Sequence, residues 1–251
     1  MSDSNVTDLV LDLRYNSGGY LAIASQLAYM IAGPSASGQT FELLQFNDKH
    51  PSTNPVTGNA LTPTPFYSNS IGLSVDEGTA LPYLNLSRVF VLTSADTCSA
   101  SEAIMNGLRG IDVEVIQIGG TTCGKPYGFY GLDNCGTTYF SIQFRGVNAK
   151  GYGDYSDGFS PVNTATVEGE PLPGCVVNDD YEHLLGDSNE AMLNAALNYR
   201  TTSGSCPALP VSVSEKRGMP STVSAKIDSA QLLPMIRPNI PGKVVLEQRS
   251  Q

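Results

Sequence analysis

Residues 89–118, VFVLTSADTCSASEAIMNGLRGIDVEVIQI, decide the fold class. The short apolar run at 89–93 predicts a buried strand, and 113–118 predicts a second one. Between them, residues 99–110 carry apolar side chains at helical spacing and predict a helix. A strand, a helix and a second strand in this order form the unit from which parallel sheets are built, with a right-handed crossover in nearly all cases.

The same alternation of strands and helices extends along most of the chain. Asp187 and Glu190 stand at capping-box spacing just before the last helical pattern. We therefore predict an α/β fold with a twisted, largely parallel sheet and flanking helices. The other predicted elements are strands at 7–14, 40–46 and 138–144 and helices at 20–32 and 191–199.

Length and composition indicate one large domain. The chain has 251 residues, of which 41% are hydrophobic, so it can bury a substantial core. We assign residues 1–205 to this core. Residues 34–87, rich in Pro, Gly, Ser and Thr, are predicted to be a surface excursion with one strand. Residues 206–251 are predicted to form an extended arm.

Charge and residue usage exclude several functions. Lys and Arg number 14 against 24 Asp and Glu, a net charge of −10, which disfavours nucleic acid and anionic membranes as partners. No stretch reaches the roughly 18 apolar residues needed to cross a bilayer, so no membrane insertion is expected. The chain has two His, His50 and His183, and no Cys-x-x-Cys pair, so we expect neither a metal nor another cofactor.

Five cysteines, at 98, 123, 135, 175 and 206, allow at most two disulfides. Short chain separations favour Cys123–Cys135 and Cys175–Cys206. Disulfides of this kind would place the protein in an oxidising compartment outside the cytosol. The alternative is a set of five reduced thiols in a cytosolic protein.

Three loops are predicted to meet at one edge of the sheet. In a parallel α/β sheet, the loops after successive strands emerge at the carboxyl edge, beside the helix N-termini. These loops carry Gly18 and Gly19, then Ser99, then Lys125. Together they supply a hydroxyl at a helix start, an amine and free backbone N–H groups.

This set is sufficient for acyl transfer. A serine at a helix N-terminus lies where the helix dipole and N–H groups stabilise negative charge. A lysine can act as its base if burial lowers the lysine pKa to about 7–8. Each residue also has a simpler interpretation: Ser99 as a helix cap, Lys125 as a surface lysine, and Gly18 and Gly19 as a tight turn.

Three sequence blocks resemble the carboxyl-terminal processing peptidases, also called tail-specific proteases, which are related to the tricorn core protease. They are LDLRYNSGG at 11–19, SASE at 99–102 and GGTTCGK at 119–125. The resemblance implies a ClpP/crotonase-like fold, with Ser99 as nucleophile and Lys125 as general base. It also implies oxyanion N–H groups from Gly18, Gly19 and Ala100; Ser101 is a distant second candidate for the nucleophile.

The chain departs from the family pattern at several positions. One extra residue separates Ser99 from Lys125, Phe129 stands where many members have a Gln, and Cys98 replaces a common Ala. The block at 158–162 ends in Val162 instead of Asp. Members usually carry an upstream PDZ or cap domain, so we expect this chain to be the C-terminal catalytic portion of a longer protein.

The resemblance implies an exported serine endopeptidase of the bacterial periplasm or cell envelope, acting on polypeptides near their C-termini through an acyl-enzyme. One alternative is tricorn-like Ser–His chemistry with the His supplied from elsewhere, since His50 and His183 are interpreted as solvent-facing residues. In that case Asp154 and Asp157 are candidate acidic partners, which ordinary loop capping explains as well. Another is a non-catalytic ligand- or peptide-binding protein with the same fold. Assembly into a homo-oligomer stays open.

Overall fold

The computed structural model describes residues 6–73, 75–163, 169–202 and 204–207. Its strands and helices alternate along the chain as the sequence pattern predicts. The strands are β1 Val10–Asp12, β2 Thr40–Gln45, β3 Thr64–Pro65, β4 Arg88–Thr93, β5 Glu114–Gly119, β6 Tyr127–Gly128, β7 Gly131–Asn134, β8 Thr137–Phe140, β9 Phe144–Val147, β10 Phe159–Pro161, β11 Glu170–Leu172 and β12 Gly174–Cys175. The helices are α1 Leu21–Ala32, α2 Ala100–Gly110 and α3 Ala191–Thr201, with a 3₁₀ turn at Gly33–Ala36.

The centre of the molecule is a four-stranded parallel sheet with the order β1-β4-β5-β12. Its two middle strands are apolar along most of their length because both faces are covered. Val89 and Val91 pack with α1 and α2 on one face, whereas Phe90 and Leu92 pack with α3 on the other. This arrangement confirms the predicted α/β class with a parallel sheet flanked by helices.

The segment 34–87 is more than a surface excursion. Its strand β2 lies in a second sheet, with the order β3-β2-β9-β6. Phe41, Phe66 and Leu86 are buried in the main core, where the rings of Phe41 and Phe66 meet edge to face. The predicted strand at 40–46 is present as β2, whereas its place in a sheet was not predicted. A few widely spaced aromatic and aliphatic anchors fix a segment whose composition is otherwise that of a loop.

Two local predictions in the second half of the chain were wrong. The pattern at 138–144 belongs to two elements: β8 in an exposed hairpin with β7, and β9, which begins at the buried Phe144. The start of α3 is not a capping box, because Glu190 itself is the N-cap and accepts hydrogen bonds from the N–H groups of Met192 and Leu193.

The C-terminal arm predicted at 206–251 lies, from residue 208 onward, outside the described residues. Within the described part of the chain, none of the helices combines the length and apolarity that crossing a membrane requires.

Candidate active site

The loops after β1, β4 and β5 meet at the carboxyl edge of the parallel sheet. Thr93 and Gly119, the last residues of β4 and β5, lie side by side in register. The Cys123 N–H donates to the Thr97 carbonyl at 3.1 Å, and the Cys98 N–H donates to the Asn16 carbonyl at 3.2 Å. Backbone hydrogen bonds therefore join all three loops directly.

Ser99 occupies a strained position at the start of α2. Its φ of 56° and ψ of −110° lie in a region that costs a residue with a side chain about 1–3 kcal/mol. Ser99 has no exposed surface, and its N–H donates to Glu102 Oε2 at 2.8 Å. Ser99 and Glu102 have a capping-box arrangement, but Ser99 Oγ makes no hydrogen bond of ordinary geometry within the described part of the chain.

Glu102 joins the Ser99 loop to the Lys125 loop. Its carboxylate is fully buried, and four hydrogen bonds to it are described. The donors are the N–H groups of Ser99, Gly124 and Lys125, each at 2.8 Å, and the Thr122 hydroxyl at 2.6 Å. Sequence reasoning gave Glu102 no role, although the Ser-x-x-Glu spacing at 99–102 is the signal of such a contact.

The backbones of Lys125 and Ser99 lie close together in space. Both N–H groups donate to the same oxygen, Glu102 Oε2, at 2.8 Å, so their nitrogens are no further apart than twice that distance. The Lys125 side chain is half-buried. Burial lowers its pKa below the ordinary 10.5, and the Glu102 carboxylate opposes this by attracting the ammonium form.

Gly18 is in contact with Ser99. Its φ is +119°, and a Cβ atom at this position would lie 2.8 Å from Ser99 Cβ and 3.3 Å from the Ala100 nitrogen. The close approach and the backbone conformation therefore both require glycine. The Gly18 N–H donates to Asn16 Oδ1 at 3.0 Å, whereas a Cβ on Gly19 would meet no atom within 4 Å.

Ser101 is hydrogen-bonded to the loop after β1, which carries Gly18 and Gly19. Its hydroxyl donates to the carbonyl and to Oδ1 of Asn16, at 3.1 and 2.8 Å. Ser101 is buried, so these bonds account for its polar group. Ser99 and Ser101 therefore differ: the second hydroxyl fixes the loop after β1, whereas the first has no such hydrogen bond among the described residues.

One of the two predicted disulfides, Cys123–Cys135, is wrong. Cys98 pairs with Cys123, with Cα atoms 5.3 Å apart, and Cys135 is an exposed free thiol between β7 and β8. Chain separation is a poor guide here because the neighbouring parallel strands β4 and β5 bring their loops together. Cys175–Cys206 is present as predicted, with a Cα–Cα distance of 5.5 Å.

Arg14 anchors the loop that carries the two glycines. Its guanidinium is buried and pairs with Asp12 at 2.7 Å, Asp179 at 2.9 Å and Glu190 at 2.8 Å. The Asp12 carboxylate, more than the others, raises the pKa of Arg14. The Tyr15 hydroxyl donates to Asp179, which raises the Tyr15 pKa to about 12.

The remaining sequence candidates lie in other environments. Phe129, at the position where relatives carry Gln, packs edge to face against Phe140. His183 is exposed, and its Nδ1 lies 2.8 Å from Asp180, which raises the His183 pKa. His50 is half-buried, and Asp154 and Asp157 are exposed. Among the described residues, no group of three His, Cys, Asp or Glu side chains is arranged to hold a metal.

The parallel sheet and its flanking helices define a mixed α/β protein. The model of peptidase family S41 matches residues 1–128, half of the chain. The chain belongs to peptidase family S41, and this membership implies a serine-type hydrolase. A comparison with curated proteins gave no match.

One of the similar solved structures, with a TM-score of 0.59, supports this fold. A protein described as a putative S41 protease from Bacteroides fragilis is 27% identical, with a TM-score of 0.59, over 80% of this chain and 46% of its own. The photosystem II D1 C-terminal processing protease is 21% identical, with a TM-score of 0.43, over 64% and 35%. A lipoprotein from Streptococcus agalactiae is 14% identical, with a TM-score of 0.40, over 66% and 50%. The chain thus spans less than half the length of the Bacteroides fragilis protein.

Proposed function

We propose that this chain is the catalytic portion of a serine endopeptidase that cleaves polypeptides near their C-termini, with Ser99 as nucleophile and Lys125 as general base. One observation carries the proposal: the backbones of Ser99 and Lys125 share a single carboxylate oxygen. A second supports it, since Ser99 Oγ is buried at a helix start, in a capping-box arrangement but without a hydrogen bond of ordinary geometry among the described residues. We assign residues 1–205 to this catalytic core.

In the proposed reaction, neutral Lys125 takes the proton from Ser99 Oγ while that oxygen attacks the carbonyl carbon of the scissile peptide bond. The tetrahedral intermediate collapses, the C–N bond breaks, and the Lys125 ammonium returns a proton to the leaving amine. Water then attacks the acyl ester, with Lys125 again as base, and releases the new carboxyl terminus. Attack by Ser99 and proton transfer to Lys125 require both side chains on the same side of the substrate. The bonds of both backbones to one oxygen of Glu102 favour this placement.

The oxyanion would lie against backbone N–H groups beside Ser99. The Ala100 N–H belongs to the first turn of α2, where the helix dipole adds positive potential. A Cβ on Gly19 would meet no atom within 4 Å, and we propose its N–H as the second donor. The Gly18 N–H donates to Asn16 Oδ1, so Gly18 can join these donors only if it leaves Asn16.

Glu102 would act as a brace rather than as an acid or base. Four donors occupy its carboxylate, and three of them are backbone N–H groups of the catalytic loops. These contacts spread its negative charge, which otherwise favours the ammonium form of Lys125. The two disulfides fit an oxidising compartment, and we propose export to the bacterial periplasm or cell envelope.

Covalent labelling tests the nucleophile. A fluorophosphonate probe should label the wild-type chain at Ser99, as located by peptide mass spectrometry, and Ser99→Ala should take no label. Ser101→Ala is the matched variant, two residues along the same helix start, and should still be labelled. Label that persists in Ser99→Ala would contradict the assignment.

A second set of variants tests the base. Lys125→Ala should lose both labelling and peptide cleavage, whereas His50→Ala and His183→Ala should keep them. The opposite result would favour Ser–His chemistry. A chain that takes no label but binds apolar ligands would instead be a non-catalytic member of the family.

A further inference from the structure

We propose that the Cys98–Cys123 disulfide is a redox-dependent positioning element that holds Ser99 within reach of Lys125. This inference rests on the proposed Ser99–Lys125 chemistry. Cys98 immediately precedes Ser99, and Cys123 stands two residues before Lys125. The bond therefore links the two loops at the points where they present the hydroxyl and the amine.

Local hydrogen bonds also join these two loops, beginning at their bases, where Thr93 and Gly120 are bonded to each other. Beside the disulfide lie the hydrogen bond from Cys123 N–H to the Thr97 carbonyl and the contacts of the Glu102 carboxylate. Cys98 also donates its N–H to the Asn16 carbonyl, in the loop that carries Gly18 and Gly19. One covalent bond thus sits where all three loops meet.

The strained backbone of Ser99 makes its conformation depend on the contacts around it. A residue with φ of 56° and ψ of −110° keeps that conformation only where its surroundings enforce it. The disulfide fixes the neighbour on its N-terminal side, and Glu102 fixes its own N–H. Breaking the disulfide would leave the backbone of residue 98 held by hydrogen bonds alone, to the Asn16 carbonyl and from the Ser101 N–H, and Ser99 Oγ would shift from its position.

The bond can also be reached by reductants. Cys123 is the more exposed of the two residues, so its Sγ, which lies 3.8 Å from Glu102 Oε2, is taken as the sulfur that a thiolate in solution attacks. The attacking dithiol forms a mixed disulfide with Cys123 and releases Cys98 as a thiolate. Its second thiol then displaces Cys123, leaving two cysteine thiols and an oxidised cyclic dithiol, a two-electron exchange.

The second disulfide provides an internal control. Cys175–Cys206 packs in the core beneath α3, against Met192 and Ala195. It closes a loop of similar length, with a separation of 31 residues against 25 for Cys98–Cys123. Its loss therefore removes a comparable cross-link without touching the loops of Ser99 and Lys125.

The test uses the full 251-residue chain with Cys135→Ser, which prevents exchange with the free thiol. The rate of fluorophosphonate labelling and the kcat and KM for an unstructured peptide are measured for the oxidised, dithiothreitol-reduced and reoxidised protein. Cys98→Ala/Cys123→Ala and Cys175→Ala/Cys206→Ala are compared in the same way, across pH.

Reduction should lower the labelling rate and kcat by about 10- to 100-fold, as expected for a catalytic group displaced by about 1 Å, and leave KM nearly unchanged. Reoxidation should restore both. Cys98→Ala/Cys123→Ala should show the low rate of the reduced protein and no further response to reductant. The pH midpoint of its labelling rate should be higher than that of the oxidised protein. Cys175→Ala/Cys206→Ala should keep both the oxidised rate and the reductant response.

Equal rates in oxidised and reduced protein, within about twofold, would overturn the positioning role while leaving Ser99 labelling, and so the proposed function, intact. An oxidised protein without Ser99-dependent labelling would overturn the proposed function itself. If the Cys98→Ala/Cys123→Ala variant fails to fold, the reversible change in Cys175→Ala/Cys206→Ala, which keeps Cys98–Cys123 as its one described disulfide, decides the outcome.

Discussion

Two helix starts in this molecule are built from the same parts and differ in what those parts bind. The N-terminus of α2 has the buried Glu102 and the Cys98–Cys123 disulfide, and that of α3 has the buried Glu190 and, nearby, Cys175–Cys206. Glu190 meets the guanidinium of Arg14 at 2.8 Å and caps its own helix. The described donors to Glu102 are three backbone N–H groups and one hydroxyl.

The difference separates fixing the fold from positioning loops. A buried carboxylate opposite a buried guanidinium is costly to disrupt, because removing either partner leaves an unpaired charge in the interior. A carboxylate that gathers N–H groups from two loops instead sets the relative position of the residues that carry them. We therefore expect substitution of Glu190 to affect mainly stability and substitution of Glu102 to affect mainly catalysis.

The two disulfides give the largest expected effect. In the chain-entropy description, loops of these lengths stabilise the folded state by about 3.5 kcal/mol each. Cys98→Ala/Cys123→Ala and Cys175→Ala/Cys206→Ala should therefore lose similar unfolding free energy, measured by urea titration with circular dichroism. If only one of the two variants lost unfolding free energy, the disulfides would not be matched in stability. A difference in activity between the variants could then not be assigned to catalysis alone.

The two glutamates sharpen the comparison. Glu190→Gln should lower the free energy of unfolding by about 3 kcal/mol, because Arg14 loses one of its carboxylates in a buried site. Glu102→Gln should cost only about 1–2 kcal/mol, since its donors are neutral, but should reduce the acylation rate by about 100-fold. Urea titration and probe kinetics measure the two quantities, and the reverse pattern would contradict the comparison.

Gly18→Ala should have a smaller effect on both stability and rate. The added Cβ would press on Ser99 Cβ in a backbone conformation unfavourable to alanine, which should cost about 2 kcal/mol and about tenfold in acylation rate. Gly58→Ala is the matched control, with φ of +75° and no atom within 4 Å of its Cβ. It should lose about 1 kcal/mol and no activity. Equal rates for the two variants would remove Gly18 from the site.

The smallest expected effect is a change in the pKa of Tyr15, which is bonded to Asp179 in the Arg14 cluster near the start of α3. Its pKa of about 12 reflects the hydrogen bond to Asp179, whose negative charge disfavours the tyrosinate. Asp179→Asn should therefore bring the Tyr15 pKa down toward its ordinary 10.0. An ultraviolet titration, with Tyr15→Phe to assign the signal, measures this shift. An unchanged value would mean that Asp179 does not govern the Tyr15 hydroxyl.

Elements with continuous local patterns are those that the sequence predicts best. The apolar runs of β4 and β5 and the amphipathic stretch of α2 lie within one or two residues of their predicted bounds. Since these elements alternate, the edge at which Ser99 and Lys125 lie could be predicted with them. The convergence of the loops is a consequence of the topology of parallel sheets.

Contacts between distant segments could not be predicted in this way. The pairing of β2 with β9 joins segments about a hundred residues apart, and neither has a pattern that names its partner. Cys98 pairs with Cys123 because β4 and β5 are adjacent, which chain separation does not report. Sequence reasoning found Glu102 only as part of the SASE motif at 99–102. Its role in joining the loops could not be predicted, because its described donors come from two loops that meet only in the folded chain.

The central claim is that an uncharged Lys125 activates Ser99, and the pH dependence of Ser99 acylation tests it most directly. Since burial lowers the Lys125 pKa, the neutral base forms at lower pH than it does for an exposed lysine. The acylation rate, measured from about pH 6 to about pH 10, should therefore rise with pH at a midpoint below 10.5, and Lys125→Ala should abolish this rise. A flat profile in the wild type, or the same rising profile in Lys125→Ala, would contradict the account.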